Sequence, residues 1–193
     1  MSTLKFMKEV IRANKTTGAL APSSDLLADL VTTMARVPEA KVIVEYGPGT
    51  GVFTEAILRK KSPEAFFIAM EVNEEFVKVT RARCPGATVL HDSAQNAIRY
   101  LREAGHEGCD CIVSGLPWTR FDEPLQDDIL NATYDVLVPG GIFVTFGYTF
   151  STMFAPGRRF FKGKFPAKFP KCSRSEPVWK NFPPCYVYLA EKG

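Results

Sequence analysis

Short apolar segments alternate with amphipathic segments through the middle of the chain. An apolar run of about four to eight residues is typical of a buried strand, whereas apolar residues repeated every three or four positions are typical of a helix. The predicted strands lie at residues 42–46, 66–71, 87–91, 110–114 and 142–148, and the predicted helices lie at residues 24–36, 52–61, 73–83, 94–104 and 124–137. Strict alternation of this kind implies a parallel sheet with helices on both faces. We therefore predict a Rossmann-like, doubly wound α/β fold.

Both ends of the chain depart from this alternation. Residues 3–15 carry apolar side chains on one face and lysines and arginines on the other, which predicts a basic amphipathic helix. Such a helix either docks on the core or lies on an anionic membrane surface. Near the other end, "PVWKNFPPCYVYLAEK" contains two strand candidates with no helix between them. We therefore predict an antiparallel hairpin at the end of the sheet.

The length of 193 residues fits one domain and is short for two. We divide this domain into an N-terminal helix and lid at residues 1–23, a ligand-binding core at 24–150, and a basic, aromatic segment with the hairpin at 151–193. No apolar run approaches the roughly 18 residues that cross a bilayer, and the N-terminus lacks the apolar core of a secretory signal. We expect a cytoplasmic protein. The sequence carries no signal for an oligomeric state.

Cysteines and histidines are few and scattered. The five cysteines have no CxxC spacing, and His91 and His106 are the two histidines of the sequence. We therefore expect reduced thiols, no metal site and no histidine general base.

The net charge of +3 is distributed unevenly along the chain. Residues 151–182 contain eight lysines and arginines and a single acid, Glu176. Phenylalanines at positions 160, 161, 165 and 169 are interleaved with these cations. Aromatic rings suit the headgroup layer of a membrane and cations suit its phosphates. The same composition also describes a surface for single-stranded nucleic acid.

Three glycines follow the first predicted strand in the segment "VIVEYGPGTGVF". Gly47, Gly49 and Gly51 allow positive φ angles and let a ligand approach the backbone, while the next helix offers free N–H groups. The spacing differs from the G-x-G-x-x-G of a dinucleotide site. Glu45, which precedes the turn, would repel a pyrophosphate but can hold the ammonium of an amino-acid group. The turn therefore predicts a ligand site and disfavours a dinucleotide as the ligand.

Two further carboxylates follow neighbouring strands. Glu71 ends the second predicted strand, 20 residues after Gly51, where a carboxylate accepts hydrogen bonds from ribose hydroxyls. Asp92 follows the third predicted strand and is placed to receive the exocyclic amine of an adenine. Either acid alone is more often a solvated residue or a helix cap. Three acids at three successive strand ends indicate one binding site.

The segments "VEYGPGTG", "MEVN" and "HDSA" resemble the class I S-adenosylmethionine-dependent methyltransferases over residues 40–150. The resemblance implies a seven-stranded sheet with an antiparallel last strand, and S-adenosylmethionine as the cofactor. The residues that it implies for cofactor binding are Glu45, Gly47, Gly49, Gly51, Glu71, Asp92, Ser93 and Ser114.

The acceptor is sought at the end of the fourth strand, in "IVSGLPWTRF". Amino-methyltransferases of adenine, cytosine or glutamine typically carry N/D-P-P-Y here, and rRNA adenine dimethylases carry a close variant. Gly115 stands in the place of the asparagine and has no side-chain carbonyl to hold a planar amino group. The chain is also short for the additional helical domain of the dimethylases. Both departures argue against a nucleic-acid substrate.

The chain resembles more fully the bacterial phospholipid N-methyltransferases, which are related to those dimethylases. "TTGALAPSS", "SGLPW" and "NFPPCYVY" are similar to that family's N-terminal loop, strand-four motif and C-terminal signature, from which Phe182 and Cys185 depart slightly. This resemblance implies methylation of phosphatidylethanolamine towards phosphatidylcholine, by a protein held peripherally on the inner face of the membrane. Tyr46, Trp118 and Tyr148 are the candidates for orienting the amine. The alternatives are an ornithine lipid acceptor, an RNA adenine N6-methyltransferase, and a cofactor-binding regulator without catalysis.

Overall fold

The computed structural model describes residues 21–193 of the chain. The amphipathic helix expected at residues 3–15 and most of the expected lid lie outside the described residues. The strands are β1 (Val42–Tyr46), β2 (Phe66–Glu71), β3 (Thr88–His91), β4 (Cys109–Ser114), β5 (Leu137–Tyr148), β6 (Lys171–Arg174) and β7 (Cys185–Glu191). The α-helices are α1 (Ala21–Met34), α2 (Val52–Lys60), α3 (Glu74–Arg83), α4 (Ala97–Glu103), α5 (Glu123–Val136), α6 (Ala155–Arg159) and α7 (Phe165–Lys168). A π-helical turn at Phe160–Lys164 joins α6 to α7.

The seven strands form one mixed sheet in the order β3-β2-β1-β4-β5-β7-β6. Strands β1 to β5 pair in parallel, whereas β7 pairs antiparallel with both β5 and β6. This arrangement confirms the predicted α/β fold with an antiparallel last strand. The strand order reverses between β1 and β4, and ligands of open α/β sheets bind at the carboxyl ends of the strands at such a point.

Alternate residues of the strands face two separate cores. On one face, Val44 of β1 and Phe143 of β5 pack with Leu101 of α4 and Leu130 of α5. On the other face, the core contains residues of α1, α2 and α3, including Val31, Ile57 and Val77. Asn73 begins α3 by accepting hydrogen bonds from the N–H groups of Glu75 and Phe76. None of the helices in residues 21–193 is both long enough and apolar enough to span a membrane.

The terminal hairpin differs from the sequence prediction in its first strand. The hairpin partner of β7 is Lys171–Arg174, which precedes the segment "PVWKNFPPCYVYLAEK" in which both strands were expected. Residues 175–184 instead form a loop in which Val178 makes a single bridge to Cys185. Prolines at positions 177, 183 and 184 explain the difference, because they lack the N–H groups that a strand ladder requires.

The four phenylalanines of the basic segment are buried and do not face a membrane. Phe160, Phe161, Phe165 and Phe169 all belong to the core. The short helices and the π-helical turn bring these rings onto the sheet, and they leave Lys162 exposed and Lys164 and Lys168 half-buried. The expectation that these rings meet a headgroup layer is therefore wrong.

Three of the eight cations of the basic segment contact carboxylates of the protein itself. Arg159 contacts Glu123 of α5, and Lys164 contacts both Glu123 and Asp127. Lys171 contacts Glu191 of β7. The cationic character of this segment towards a partner is therefore smaller than its sequence indicates.

Candidate active site

The glycine turn connects β1 to α2 at the carboxyl edge of the sheet. Gly47, Gly49 and Gly51 have φ angles of 68°, 57° and 83°, in the region that favours glycine. The Gly49 N–H donates a hydrogen bond to Glu71 Oε2 at 3.2 Å, and its carbonyl accepts one from Thr80 Oγ1 at 2.8 Å. A Cβ on Gly49 would meet no atom within 4 Å, so the turn is open there. The turn is therefore held at its middle residue and presents bare backbone on its open side.

Glu71 is the last residue of β2 and is almost completely buried. Its Oε1 accepts a hydrogen bond from the Asn73 N–H at 2.9 Å, while Oε2 accepts the bond from Gly49. Burial raises the pKa of this carboxyl group, although the backbone donors oppose the shift. A carboxylate has about four acceptor positions, so the backbone donors leave acceptor capacity for a ligand hydroxyl. Glu71 therefore supports the glycine turn, and its contact with a ribose stays a prediction.

Glu45 lies under the turn and is fully buried. Its Oε2 accepts a hydrogen bond from the Thr54 hydroxyl at 2.7 Å, and its Oε1 has no hydrogen-bond partner within residues 21–193. Burial, with a smaller repulsion from Glu71, raises the pKa of Glu45 to about 8. Two acids with raised pKa values and one unpaired buried oxygen fit a cationic ligand, which would restore the charged forms. Direct contact between Glu45 and a ligand ammonium stays a prediction.

The buried Glu45 is expected to make the ligand-free protein less stable as the pH rises. The unfolded state loses the proton near the ordinary pKa of 4.5, whereas the folded state keeps it until about 8. The unfolded state then binds fewer protons between these values, so the free energy of unfolding decreases over this range and levels off above it. The expected decrease is on the order of 3–5 kcal/mol. Denaturant titrations between pH 5 and 8.5 measure it.

Glu45→Gln should remove most of this pH dependence, because glutamine does not titrate. Glu39→Gln is the matched control, since Glu39 is exposed at the opposite end of β1. A Glu45→Gln protein that keeps the full decrease would assign the titration to another group.

Asp92 and Ser93 are engaged by their own part of the chain. Asp92 accepts hydrogen bonds from the Ser93 N–H, Asn96 Nδ2, Arg99 Nη2 and the Tyr100 hydroxyl, all between 2.7 and 2.9 Å. The bond from Asn96 contributes most to lowering the pKa of Asp92. Ser93 caps the short 3-10 helix that follows β3. Their contact with an adenine stays a prediction, and the structure gives both residues a local role.

The ends of β1 and β4 are joined through backbone contacts. The Gly115 N–H donates a hydrogen bond to the Tyr46 carbonyl at 2.8 Å, and the buried Ser114 Oγ accepts one from the Leu116 N–H at 3.3 Å. A Cβ on Gly115 would lie 2.6 Å from the Gly47 carbonyl oxygen. Real Cβ atoms are essentially never found so close to another atom. The structure therefore has no space for a side chain at the position that the sequence marked for the acceptor.

Tyr46 and Trp118 are core residues, which corrects their assignment to the acceptor site. Tyr46 is 0% exposed because strand alternation turns it to the face opposite Glu45, among the residues under α4 and α5. Burial raises the pKa of its hydroxyl far above the usual value, so it is not a proton acceptor. Trp118 is 1% exposed; its Nε1–H donates a hydrogen bond to Thr145 Oγ1 at 3.0 Å and its ring stacks on Phe160.

Tyr148 belongs to a line of aromatic side chains that we call the aromatic row. It consists of Phe53 at the start of α2, Phe146 and Tyr148 of β5, and Phe150 after β5. Successive ring centroids are 5.7, 5.9 and 5.5 Å apart, and the last pair is stacked in parallel. The first three rings are half-buried, whereas Phe150 is exposed. The aromatic row leads from the glycine turn to the protein surface.

Sequence reasoning identified one member of this row and missed two of the supports of the turn. Thr54 and Thr80 bond Glu45 and Gly49 from helices α2 and α3. Thr54 lies three residues after the last glycine of the turn, so its position in the first turn of a helix was available as a signal. Thr80 had no such signal, because its contact depends on the packing of α3 against the turn.

A family model described as a methyltransferase domain matches residues 43–141, from β1 into β5. A curated protein of Singulisphaera acidiphila, named ornithine lipid N-methyltransferase, is 32% identical over 143 residues. This match covers 72% of the present chain and 73% of that protein.

Solved structures show the same fold at low sequence identity. An O-methyltransferase from Bacillus cereus in complex with SAH aligns with a TM-score of 0.66 and 17% identity, over 96% of this chain and 90% of that one. TrmN from Thermus thermophilus aligns with a TM-score of 0.65 and 16% identity, over 89% of this chain. The present chain spans about half of TrmN, 52% of its length.

The cofactor is S-adenosylmethionine, and the site fits it in three respects. The turn at Gly49 is open, Glu71 has acceptor positions left for a ribose, and the two acids with raised pKa values suit a ligand that carries a sulfonium and an ammonium. The matched domain contains the glycine turn, Glu45 and Glu71, whereas Phe146, Tyr148 and Phe150 of the aromatic row lie beyond it. The chain belongs to the methyltransferase domain family and is a class I S-adenosylmethionine-dependent methyltransferase.

Proposed function

We propose that this enzyme methylates the headgroup amine of a membrane aminolipid. The observation that carries the proposal is the lack of space for a side chain at the end of β4, where a Cβ on Gly115 would lie 2.6 Å from the Gly47 carbonyl oxygen. The amino group of a nucleobase shares its lone pair with the ring, so a side-chain carbonyl is needed to draw on its N–H. An aliphatic amine has a localised lone pair and needs only to lose a proton. The bare backbone at Gly115 suits the aliphatic amine.

The similarity to the ornithine lipid N-methyltransferase supports an aminolipid acceptor. Phosphatidylethanolamine and ornithine lipids both carry a primary amine on a molecule anchored in a membrane. We take phosphatidylethanolamine, converted stepwise towards phosphatidylcholine, as the first acceptor to test. An ornithine lipid is the second, because the relative's name specifies it.

The reaction requires alignment and exclusion of water more than acid–base groups. S-Adenosylmethionine supplies a methyl group bonded to a positive sulfur. The amine nitrogen would take this methyl group as the sulfur–methyl bond broke, and the resulting ammonium would have to lose a proton before a second transfer. Burial of the amine beside a positive sulfur lowers its pKa, so the neutral form is available without a strong base. The protein's contribution is then to hold the two reactants in line.

Tyr148 contributes the face of its ring to this alignment. Burial raises the pKa of its hydroxyl above the ordinary value, so the group stays protonated at neutral pH and does not remove the amine's proton. An aromatic ring attracts an ammonium through its quadrupole, and this attraction persists as methyl groups are added. The aromatic row therefore suits an acceptor whose positive charge becomes permanent.

Tyr148→Ala is expected to lower kcat/KM for the aminolipid about ten-fold, because the ring contact is lost. Tyr148→Phe should remain within about two-fold of the unchanged enzyme, since it keeps the ring and removes only the hydroxyl. Initial rates with a detergent-dispersed aminolipid measure both. Equal impairment of the two variants would show that the hydroxyl matters and would overturn the role of the ring.

The experiment that tests the proposed function supplies labelled S-adenosylmethionine to the full chain with three acceptors. These are vesicles containing phosphatidylethanolamine, vesicles containing ornithine lipid, and total RNA. Label in mono-, di- or trimethylated lipid identifies the acceptor and counts the methyl groups. Label in RNA would replace the proposal with an RNA methyltransferase. Cofactor binding without transfer to any acceptor would favour a regulator.

We also propose a location on the cytoplasmic face of the membrane, where the lipid acceptor is available.

A further inference from the structure

We infer that two loops at the carboxyl edge of the sheet form the surface by which the protein docks on a lipid bilayer. The first comprises residues 149–156, which include a 3-10 helix at Thr149–Met153 and the start of α6, and the second comprises residues 176–184; together we call them the docking loops. The inference rests on the proposed function, because it identifies the lipid surface from which the acceptor would be taken.

The docking loops are neighbours, although they are far apart in the sequence. The end of β5 pairs with the beginning of β7, which places Tyr148 opposite Cys185. The Thr149 N–H donates a hydrogen bond to the Pro184 carbonyl at 2.9 Å, and Val178 bridges to Cys185. Both loops therefore leave the sheet at the edge that carries the glycine turn.

The docking loops expose an unusual share of large apolar side chains. Eight large hydrophobic residues are exposed among those described, and five of them lie in these loops. They are Phe150 at 44%, Met153 at 71%, Phe154 at 62%, Trp179 at 73% and Phe182 at 79%. Ala155 and Pro156 are also exposed, which extends the apolar surface from Met153 over four consecutive residues. Contiguous exposed apolar surface marks an interaction site.

Each docking loop is flanked by a cation that has no carboxylate partner within residues 21–193. Arg158 donates a hydrogen bond to the Met153 carbonyl, and Lys180 lies between Trp179 and Phe182 in the sequence. Other cations of the basic segment contact acids of α5 and β7, as described above. Apolar side chains with adjacent free cations match the acyl layer and the phosphates of a membrane.

A lipid surface fits this chemistry better than RNA. Bases stack on aromatic faces, but Met153 and Ala155 offer no ring to a base. The aromatic row begins at Phe150 in the first loop and continues to the glycine turn. A bilayer in contact with the docking loops would therefore present its headgroup amines at the entrance to the active site.

The fluorescence of Trp179 reports contact between the docking loops and a bilayer. The chain contains two tryptophans, and Trp118 is buried in the core, so a change in emission on addition of vesicles comes from Trp179. In the free full-length protein, we expect Trp179 to be quenched by acrylamide. Vesicles of phosphatidylethanolamine and phosphatidylglycerol should shift the emission to shorter wavelength, and brominated acyl chains should quench it.

The double variant Trp179→Ala/Phe182→Ala tests the surface by co-sedimentation with the same vesicles. We expect its partition coefficient to fall at least about ten-fold, because two exposed anchors are lost. Val79→Ala is the matched control, since Val79 is an exposed apolar residue of α3, which packs near the β3 edge of the sheet. The partition coefficient of the Val79→Ala protein should be unchanged.

Two results would overturn the inference that the docking loops bind a bilayer, and neither depends on which lipid is methylated. One is unchanged partitioning of the double variant. The other is a Trp179 already shielded from acrylamide in the free protein, which would mean that residues 1–20 or a second copy cover the loops. Methylation of an aminolipid dispersed in detergent micelles should proceed in the double variant at the rate of the unchanged enzyme. Loss of partitioning with micellar activity retained supports the inference, whereas absence of micellar activity in the unchanged enzyme would refute the proposed function.

Discussion

Glu71→Ala is expected to weaken S-adenosylmethionine binding by at least about 100-fold. The carboxylate would bond the ribose of the cofactor, and it also accepts the N–H groups of Gly49 and Asn73 that set the shape of the turn. Each hydrogen bond to a charged group contributes about 1.5–3 kcal/mol, so the loss of two exceeds the 2.7 kcal/mol or so of a 100-fold change. Isothermal titration calorimetry measures the dissociation constant directly.

Two other variants separate ligand contact from the support of the turn. Glu75→Ala is the matched control, because Glu75 is an exposed acid only four residues further along. We expect unchanged affinity for it. Glu71→Gln keeps an acceptor oxygen for one backbone N–H but loses the charge. Its affinity for S-adenosylmethionine should therefore lie between the affinities of Glu71→Ala and Glu75→Ala. An affinity of Glu71→Ala within about three-fold of the original would refute the assignment of Glu71 to the ribose.

Gly115→Ala is expected to reduce methyl transfer by about 100-fold or more and to destabilise the fold by about 2 kcal/mol. The added methyl group would lie 2.6 Å from the Gly47 carbonyl, so either the end of β4 or the glycine turn must move. Displacements of about 1 Å at a site of alignment cost roughly two orders of magnitude in rate. Steady-state rates and denaturant titrations measure the two effects.

The controls for Gly115 distinguish packing from acceptor choice. Gly86→Ala should be neutral, because a Cβ there meets no atom within 4 Å. Gly115→Asn introduces the carbonyl expected of a nucleobase methyltransferase. We expect it to be inactive on lipid and on RNA alike. Activity on RNA gained by Gly115→Asn would indicate that the pocket accepts a planar base, contrary to the proposed function.

Local patterns in the sequence were sufficient for the fold and for the cofactor turn. Short apolar strands, long amphipathic helices and three glycines after β1 each depend on a few neighbouring residues. The five parallel strands and the antiparallel last strand follow the prediction closely. Glu45 and Glu71 lie beside the turn as expected, because the carboxyl ends of parallel strands meet at one edge.

The acceptor side was less predictable because it depends on which face a side chain takes. Tyr46 follows Glu45 by one position, and because side chains alternate along a strand, Tyr46 packs in the core on the opposite face of the sheet. The sequence offers no signal that separates the buried phenylalanines of the basic segment from the exposed Trp179. Only the path of the π-helical turn and of the proline-rich loop separates core rings from surface rings. The corrections to Tyr46, Trp118 and these phenylalanines therefore share one cause.

The position of β7 between β5 and β6 has a consequence for synthesis of the chain. Strands β1 to β5 and the glycine turn can pair as soon as residue 148 has left the ribosome. The docking loops become neighbours only when β7 inserts, after some 40 further residues, which takes on the order of seconds. The cofactor half of the nascent protein is thus complete before its apolar surface is assembled. If the docking loops bind a bilayer as proposed, the order of translation delays that binding until β7 has been made.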